Sequence, residues 1–499
     1  MTPESPLPGH LTRPNTIRHV PPELLAIIFK NVGLEHPRRL VNIVSVCREW
    51  RDIIYNYPKF WTTLILHAGE PRSTPNTDVV AFLKRWFAHA KNLPLKLNMA
   101  VVPARPSAIE LQNLTEYLVS HQWRSLLFEL RDGRTSQNQY SRPDAWPWLN
   151  TLFNATKDQP DCWSELEELQ MIATELNPRH MPILSLNKIA PNLKRLRIHF
   201  DRIPSVAYLN STHINMKNLV SLNLDGEIGW DNHDAMLMFY FRTIMESNNL
   251  ESFKIIDYYQ SLTVPTFEFS TFVSSFPVSN LTLSHIALHD SPTVRFILKN
   301  LSLPALVSVS MTRTHFDAIF ESCPLPLHQS LSRLIELSGC NLEELKLDHA
   351  VISEEGLLAL LPVMPTLQTL SLDSAFRNST KAVAFLAGLR GGKEDSKLLP
   401  CLRSLSISVG AWITPTLSLQ LKSEFLRVVC DPRRWWKTTA IEGDSTLVSE
   451  RFAKITTAKL SLHHMDESTS TLYARPAPNR ILAPRKELRG GAQEKRAFR

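Results

Sequence analysis

Cys47, the adjacent pair His463 and His464, and the run Arg433–Arg434–Trp435–Trp436 are the residues whose types invite chemistry. They would supply a thiolate nucleophile, metal ligands and a base-stacking platform respectively. Their contexts argue against each role. Cys47 lies in an apolar helical stretch with no histidine near it in sequence, so buried packing is expected. The two histidines are a lone pair in a polar stretch, so solvation is expected. The two tryptophans are expected to pack inside a C-terminal cap. No GxxxxGK[ST], GxGxxG, HExxH, GxSxG or CxxC pattern occurs, and 15 glycines in 499 residues are few for phosphate-cradling loops. The chain is therefore expected to be non-catalytic, with no cofactor and no metal, and to act through contact surfaces.

Two kinds of element would carry such surfaces. Near the start, IRHVPPELLAIIFKNV places Pro21 and Pro22 ahead of Leu24, Leu25, Ile27, Ile28 and Val32, which predicts a helix ending at Gly33. RRLVNIVSVCREWRDIIYNYP then predicts one or two more helices, stopped at Pro58. From Trp61 onward a different texture takes over. Hexamers of the form L-x-x-L-x-L start at Leu166, Leu193, Leu219, Leu250, Val278, Leu306, Leu342, Leu367 and Leu402, at intervals of 25 to 36 residues. Positions i+3 and i+5 share one face of a strand but not of a helix, so each hexamer predicts a short strand followed by an outer arch. The clearest unit, LEELKLDHAVISEEGLLALLPVMP, predicts a helix capped by Ser353 with Leu357, Leu358, Leu360 and Leu361 turned inward. Weaker units appear at Leu93–Met99 and Trp123–Phe128, and the polar stretch 131–161 reads as an inserted loop.

The strand residues flanking the buried leucines point away from the core. Those with binding chemistry are Arg195, Arg197, His199, Asn223, Asp225, Lys254, Lys346, Asp348 and Asp373, with serine and threonine between them. Asn280, Thr282 and Ser284 would occupy the same face in the fifth unit. A polar protein segment is the expected ligand.

The net charge is +7, from 55 Lys+Arg against 48 Asp+Glu, with an isoelectric point near 9.0. Eight basic and two acidic residues between Tyr473 and Arg499 account for +6 of it, so the basic character belongs to a tail and nucleic acid is not the expected partner. No signal peptide and no apolar run of about 18–20 residues is visible, so no membrane span is expected. Six scattered cysteines without CxxC fit reduced thiols in the cytoplasm or nucleus. Six Asn-x-Ser/Thr triplets, at Asn113, Asn154, Asn210, Asn280, Asn300 and Asn378, are attributed to composition.

Val20, Pro21, Glu23, Leu24, Leu25, Ile28 and Phe29, followed by Val44, Val46, Cys47, Arg48, Trp50 and Arg51, resemble the F-box motif, and the match continues to Pro58 and Trp61. The repeated hexamers resemble leucine-rich repeats, and Phe82–Met99 resembles the segment that follows the F-box in fungal F-box proteins. The resemblance implies an α/β protein. It would have a polar arm (1–16), an F-box (17–62), a linking region with early repeats (63–160), a repeat solenoid with a parallel concave sheet (161–430), a cap (431–465) and a disordered basic tail (466–499). It also implies a substrate adaptor of a Skp–cullin–F-box ubiquitin ligase, docking on a Skp-type adaptor of a cullin–RING ligase through Val20, Pro21, Glu23, Leu24, Leu25, Ile28, Val44, Cys47 and Trp50. Two alternatives stand beside it. The apolar helices could pack against the chain's own repeats in a scaffold outside any ligase, or the basic tail could bind nucleic acid or an anionic membrane.

Overall fold

A computed structural model describes residues 20–32, 34–67, 79–100, 108–130, 147–157, 159–173, 185–203, 209, 212–228, 233–257, 277–313, 325–350, 352–376, 379–389, 399–409, 415–430, 436–439, 448–451, 457–463 and 469–474. The chain divides into two compact units, Met1–Thr174 with His180–Leu193, and Glu175–Arg179 with Lys194–Arg499.

The first unit begins with three short helices, α1 (Pro22–Lys30), α2 (Pro37–Val44) and α3 (Arg48–Asn56). Prolines at the first turns of α1 and α2 remove N–H groups that would have no helical partner. The first helix stops three residues before the expected Gly33, and beyond it the Asn31 and Val32 N–H groups bond to the Ile28 and Phe29 carbonyls in a turn. Four strands follow: β1 (Thr63–His67), β2 (Leu95–Ala100), β3 (Trp123–Leu130) and β4 (Glu168–Ala173). They pair in parallel and in chain order. The sequence pattern found the last three but not β1, whose TLILH lacks the hexamer. Trp61 locks the helical module to this sheet region: its indole N–H donates to the Ile54 carbonyl at 3.0 Å, and its ring packs edge-on against Trp86 at 5.0 Å.

The second unit is also a large parallel sheet. Its strands are β5 (Arg195–Ile203), β6 (Ser221–Ile228), β7 (Ser252–Asp257), β8 (Val278–Ser279), β9 (His285–His289), β10 (Leu301–Ser302), β11 (Ser308–Thr312), β12 (Glu344–Asp348), β13 (Thr369–Asp373), β14 (Ser404–Val409), β15 (Trp436–Thr439), β16 (Val448–Arg451), β17 (Thr457–His463) and β18 (Thr469–Ala474). The main ladder runs β5-β6-β7-β9-β11-β12-β13-β14-β17-β18, parallel except for the antiparallel last pair. The pairs β8–β10 and β15–β16 stand apart from it. Inward strand residues such as Leu345 and Leu347, Leu370 and Leu372, and Leu405 and Ile407 are essentially out of water. Fully burying one such side chain contributes about 1.5–3 kcal/mol.

Helices Leu327–Ser338, Glu354–Leu360, Ser379–Leu389 and Pro415–Cys430 alternate with these strands and pack on one another in order. The Ser353 hydroxyl accepts from the Gly356 N–H at 3.0 Å, as its position predicts. Leu357, Leu360 and Leu361 are buried, and Leu358 is half-buried. The residue after each strand also bonds to the end of the next: Asp290 N to Thr312 O, Arg313 N to Asp348 O, His349 N to Asp373 O, and Ser374 N to Ser408 O.

Within the stretch 131–161, expected as an inserted loop, Pro147–Lys157 is a helix. Two further sequence expectations are corrected here. In the fifth unit the strand is His285–His289, not the segment around Asn280. The Asn280 side chain donates to the carbonyls of Ile244 and Ser247, both at 2.8 Å, and its Oδ1 accepts from the N–H groups of Thr282 and Leu283. Those bonds hold it in a buried turn, which also takes this Asn-x-Thr triplet away from any glycan. The second correction concerns the segment from residue 466, expected to be unstructured: Thr469–Ala474 is a strand, because its backbone pairs with β17 from Ala458 to His463. The arm 1–16, Gly33, residues 131–146, Arg433, Arg434, Trp435, His464 and 475–499 lie outside the described residues.

Gly226 on β6 has φ 146°, a conformation that side chains rarely adopt, and a Cβ there would overlap the Phe200 carbonyl on β5. Gly226→Ala is expected to destabilise the second unit by about 3 kcal/mol or more. Urea unfolding of the full chain measures this, and a loss below about 1 kcal/mol would refute the reading.

Candidate functional site

The first candidate surface lies on the three helices. α1 is apolar on two sides. Leu25, Ala26 and Phe29 face the interior, where the Phe29 ring lies 4.9 Å from that of Trp50. Leu24, Ile27 and Ile28, one helical face at i, i+3 and i+4, are 51%, 57% and 51% exposed. Val32, Val41, Val46, Tyr55 and Tyr57 are similarly open; among the other described residues only Ile109, Met238, Met245, Leu281 and Leu419 match them. Such a concentration of open apolar side chains marks a contact surface.

The expected docking residues therefore divide. Pro21, Glu23, Leu24 and Ile28 are exposed, and Val20, Val44 and Trp50 are half-buried. Leu25 is 4% exposed and belongs to the interior, which corrects its assignment to the docking face. Its spacing of one residue from Leu24 turns it to the other side of the helix. Cys47 is exposed, not buried: it sits at the N-cap of α3, where its Sγ accepts from the Trp50 N–H at 3.5 Å. Between α1 and α3 lies a cleft of about 540 Å³ lined by Pro22, Glu23, Arg48, Glu49, Asp52, Ile53, Asn56 and Tyr57.

The second candidate surface is the open face of the second unit's ladder. Register places Arg195, Ser221 and Ser252 in one row, Arg197, Asn223 and Lys254 in the next, and His199 and Asp225 in a third. Asp225 has a side chain only 9% exposed; its Oδ2 lies 3.2 Å from His199 Nδ1 and 3.9 Å from Lys254 Nζ. Its Oδ1, Asn223 Oδ1 and Arg197 Nε are out of water and have no hydrogen-bond partner among the described residues. Further along, Glu344 accepts from Ser308 Oγ and pairs with Lys346 Nζ, both at 2.7 Å. Burial alone would raise the Glu344 carboxyl, but those two hydrogen bonds and the charges of Lys346 and His285 hold it below its usual range. Asp348 and Asp373 stand opposite each other in register. His349 Nε2 is 3.5 Å from Asp348, and Ser374 Oγ donates to Asp373 at 3.3 Å.

One polar cluster escaped the sequence reading, because no motif or spacing marks it. The Arg295 guanidinium donates twice to Asp290, 2.7 Å at each oxygen, and once to the Leu325 carbonyl, with the Asp290 side chain fully buried. Burial pushes the neighbouring His289 down to about 4, with Arg313 adding to the fall and Asp290 opposing it. His289 therefore stays neutral in the fold while an unfolded histidine gains a proton below about 6.5. Stability from this residue is complete above that value and is lost as pH drops towards 4, by about 3 kcal/mol at most. His289→Gln is expected to flatten the acid limb of urea-unfolding free energy between those values, and an unaltered limb would refute the assignment.

Burial also raises the thiols of Cys162, to about 11, and Cys340, so both are protonated and weakly nucleophilic at neutral pH. Among the described residues no group of three His, Cys, Asp or Glu could hold a metal ion, and no helix is long and apolar enough to cross a membrane.

Comparison with the curated proteins found no match to this chain. Residues 17–67 match the model of the F-box-like family, so an F-box-like domain occupies the three helices and β1.

Proposed function

We propose that this chain is a non-catalytic substrate adaptor of a Skp–cullin–F-box ubiquitin ligase. The observation that carries the reading is the coincidence of the F-box-like domain with the open apolar face of Leu24, Ile27 and Ile28. A domain of this kind suggests a Skp-type adaptor as partner, and half-exposed aliphatic side chains on one helix face are what such a contact would cover. The competing arrangement, in which these residues pack against the chain's own strands, would leave them buried. In this reading the parallel strands with their alternating helices form a leucine-rich-repeat array whose open face holds the target protein, and the chain acts in the cytoplasm or nucleus. Chemistry then belongs to the partners, and this protein contributes proximity.

Binding of the full-length chain to a purified Skp-type adaptor, measured by calorimetry, tests this. A saturable one-to-one complex is expected. Absence of binding by a chain whose thermal unfolding is cooperative would overturn the proposal.

A further inference from the structure

We infer that the β5–β7 end of the second unit's open face seats one carboxylate side chain of an extended target segment, taken by Arg197 with Lys254 beside it. This rests on reading that face as the target-binding surface. Register sets Arg197, Asn223 and Lys254 side by side on three adjacent strands, so the two cations are two strands, about 10 Å, apart with the amide between them. Arg197 is half-buried and meets no carboxylate among the described residues. Its Nε is out of water without an acceptor, so the sheet strips hydration from the guanidinium and returns no counter-charge. Asp225, one row away, is engaged elsewhere: its Oδ2 lies 3.2 Å from His199 Nδ1 and 3.9 Å from Lys254 Nζ.

A carboxylate matches this place better than the other polar groups a target carries. It accepts in the plane of the guanidinium, and such charged hydrogen bonds are about twice as strong as those a neutral amide would make. A lysine would be repelled by both cations. A phosphate carries about −1.5 to −2 at neutral pH, and its second charge would meet Asp225 beside Lys254. One negative charge balances what Arg197 and Lys254 leave over once Asp225 is counted. Asn223 Oδ1 adds a second demand, because it is out of water without a donor. It asks for an N–H group, which the backbone of a segment supplies next to its acidic side chain and a free carboxylate ion lacks. Room for that backbone exists: Ser221 and Ser252 flank the row on one side, and Ala287 follows Lys254 along it.

Fluorescence anisotropy of the full-length chain tests this, using labelled Ser/Ala/Thr peptides of about twelve residues whose central residue is glutamate, glutamine, phosphoserine or lysine. The glutamate peptide is expected to bind tightest, by about tenfold over glutamine, with phosphoserine no tighter than glutamate. Arg197→Glu should transfer the preference to the lysine peptide. Arg197→Gln should make the glutamate and glutamine peptides equal, and it serves as the test if Arg197→Glu fails to unfold cooperatively. Equal affinity for glutamate and glutamine in the unaltered chain, tightest binding of phosphoserine or lysine, or no binding at all would each overturn the inference. Adaptor binding by the same proteins is the separate readout. If it persists while peptide selectivity fails, only this inference falls; if it fails while selectivity holds, only the ligase reading falls.

Discussion

Replacing Leu24 and Ile28 together by aspartate is expected to weaken binding to a Skp-type adaptor by more than about 100-fold with little change in the unfolding midpoint. Both side chains are half exposed, so the folded chain loses little by carrying charge there. Surface substitutions of this kind usually stay within about 0.5 kcal/mol. At a contact the same carboxylates would be desolvated against apolar partner atoms, and truncating anchors of this type costs about 2 kcal/mol or more each. Two anchors therefore exceed the ~2.8 kcal/mol that corresponds to 100-fold. Leu25→Asp makes the contrast. That side chain is inside the module, so its substitution costs several kcal/mol of stability and removes binding by unfolding the helices. Calorimetric titration alongside thermal unfolding separates the two. Full affinity in the folded Leu24/Ile28 double variant would remove the open face of α1 from the binding surface.

The second large effect is at Asp290. Asp290→Ala takes both carboxylate bonds from the Arg295 guanidinium, itself 9% exposed. Breaking a buried ion pair by deleting one member costs about 3–5 kcal/mol, whereas replacing both by apolar groups is often close to neutral. Asp290→Ala is thus expected to lose that amount in urea unfolding, and Asp290→Ala with Arg295→Met to recover most of it. A single variant that loses less than about 1 kcal/mol, or a double variant no better than the single, would refute the account.

These two sites also show what the sequence made legible. The helical module was readable because helical spacing and motif order agree from Pro21 to Trp61; the resemblance could not tell Leu24 from Leu25, since both fit it. That distinction needs the rotation of α1 against Phe29 and Trp50. The parallel ladder was readable because leucines at i+3 and i+5 must lie on one strand face. It failed at Val278, where VSNLTL and LSHIAL overlap and both satisfy the pattern. Only the long-range bonds of the Asn280 amide decide between them. The Asp290–Arg295 pair left no periodic trace, because its burial is imposed by neighbours distant in sequence. The side of the sheet that each charged row takes follows from the strands, since alternation fixes it.

In the second unit's ladder each strand is hydrogen-bonded to the strands that flank it. Local damage to such a ladder is felt by its neighbours and fades beyond them, so opening starts at the ends and spreads stepwise. A target held across several strands would change that mechanics. It would act as a splint, tying together strands with no mutual contact and converting stepwise fraying into a single cooperative transition. Occupancy would then be written in the sharpness of unfolding as much as in its midpoint.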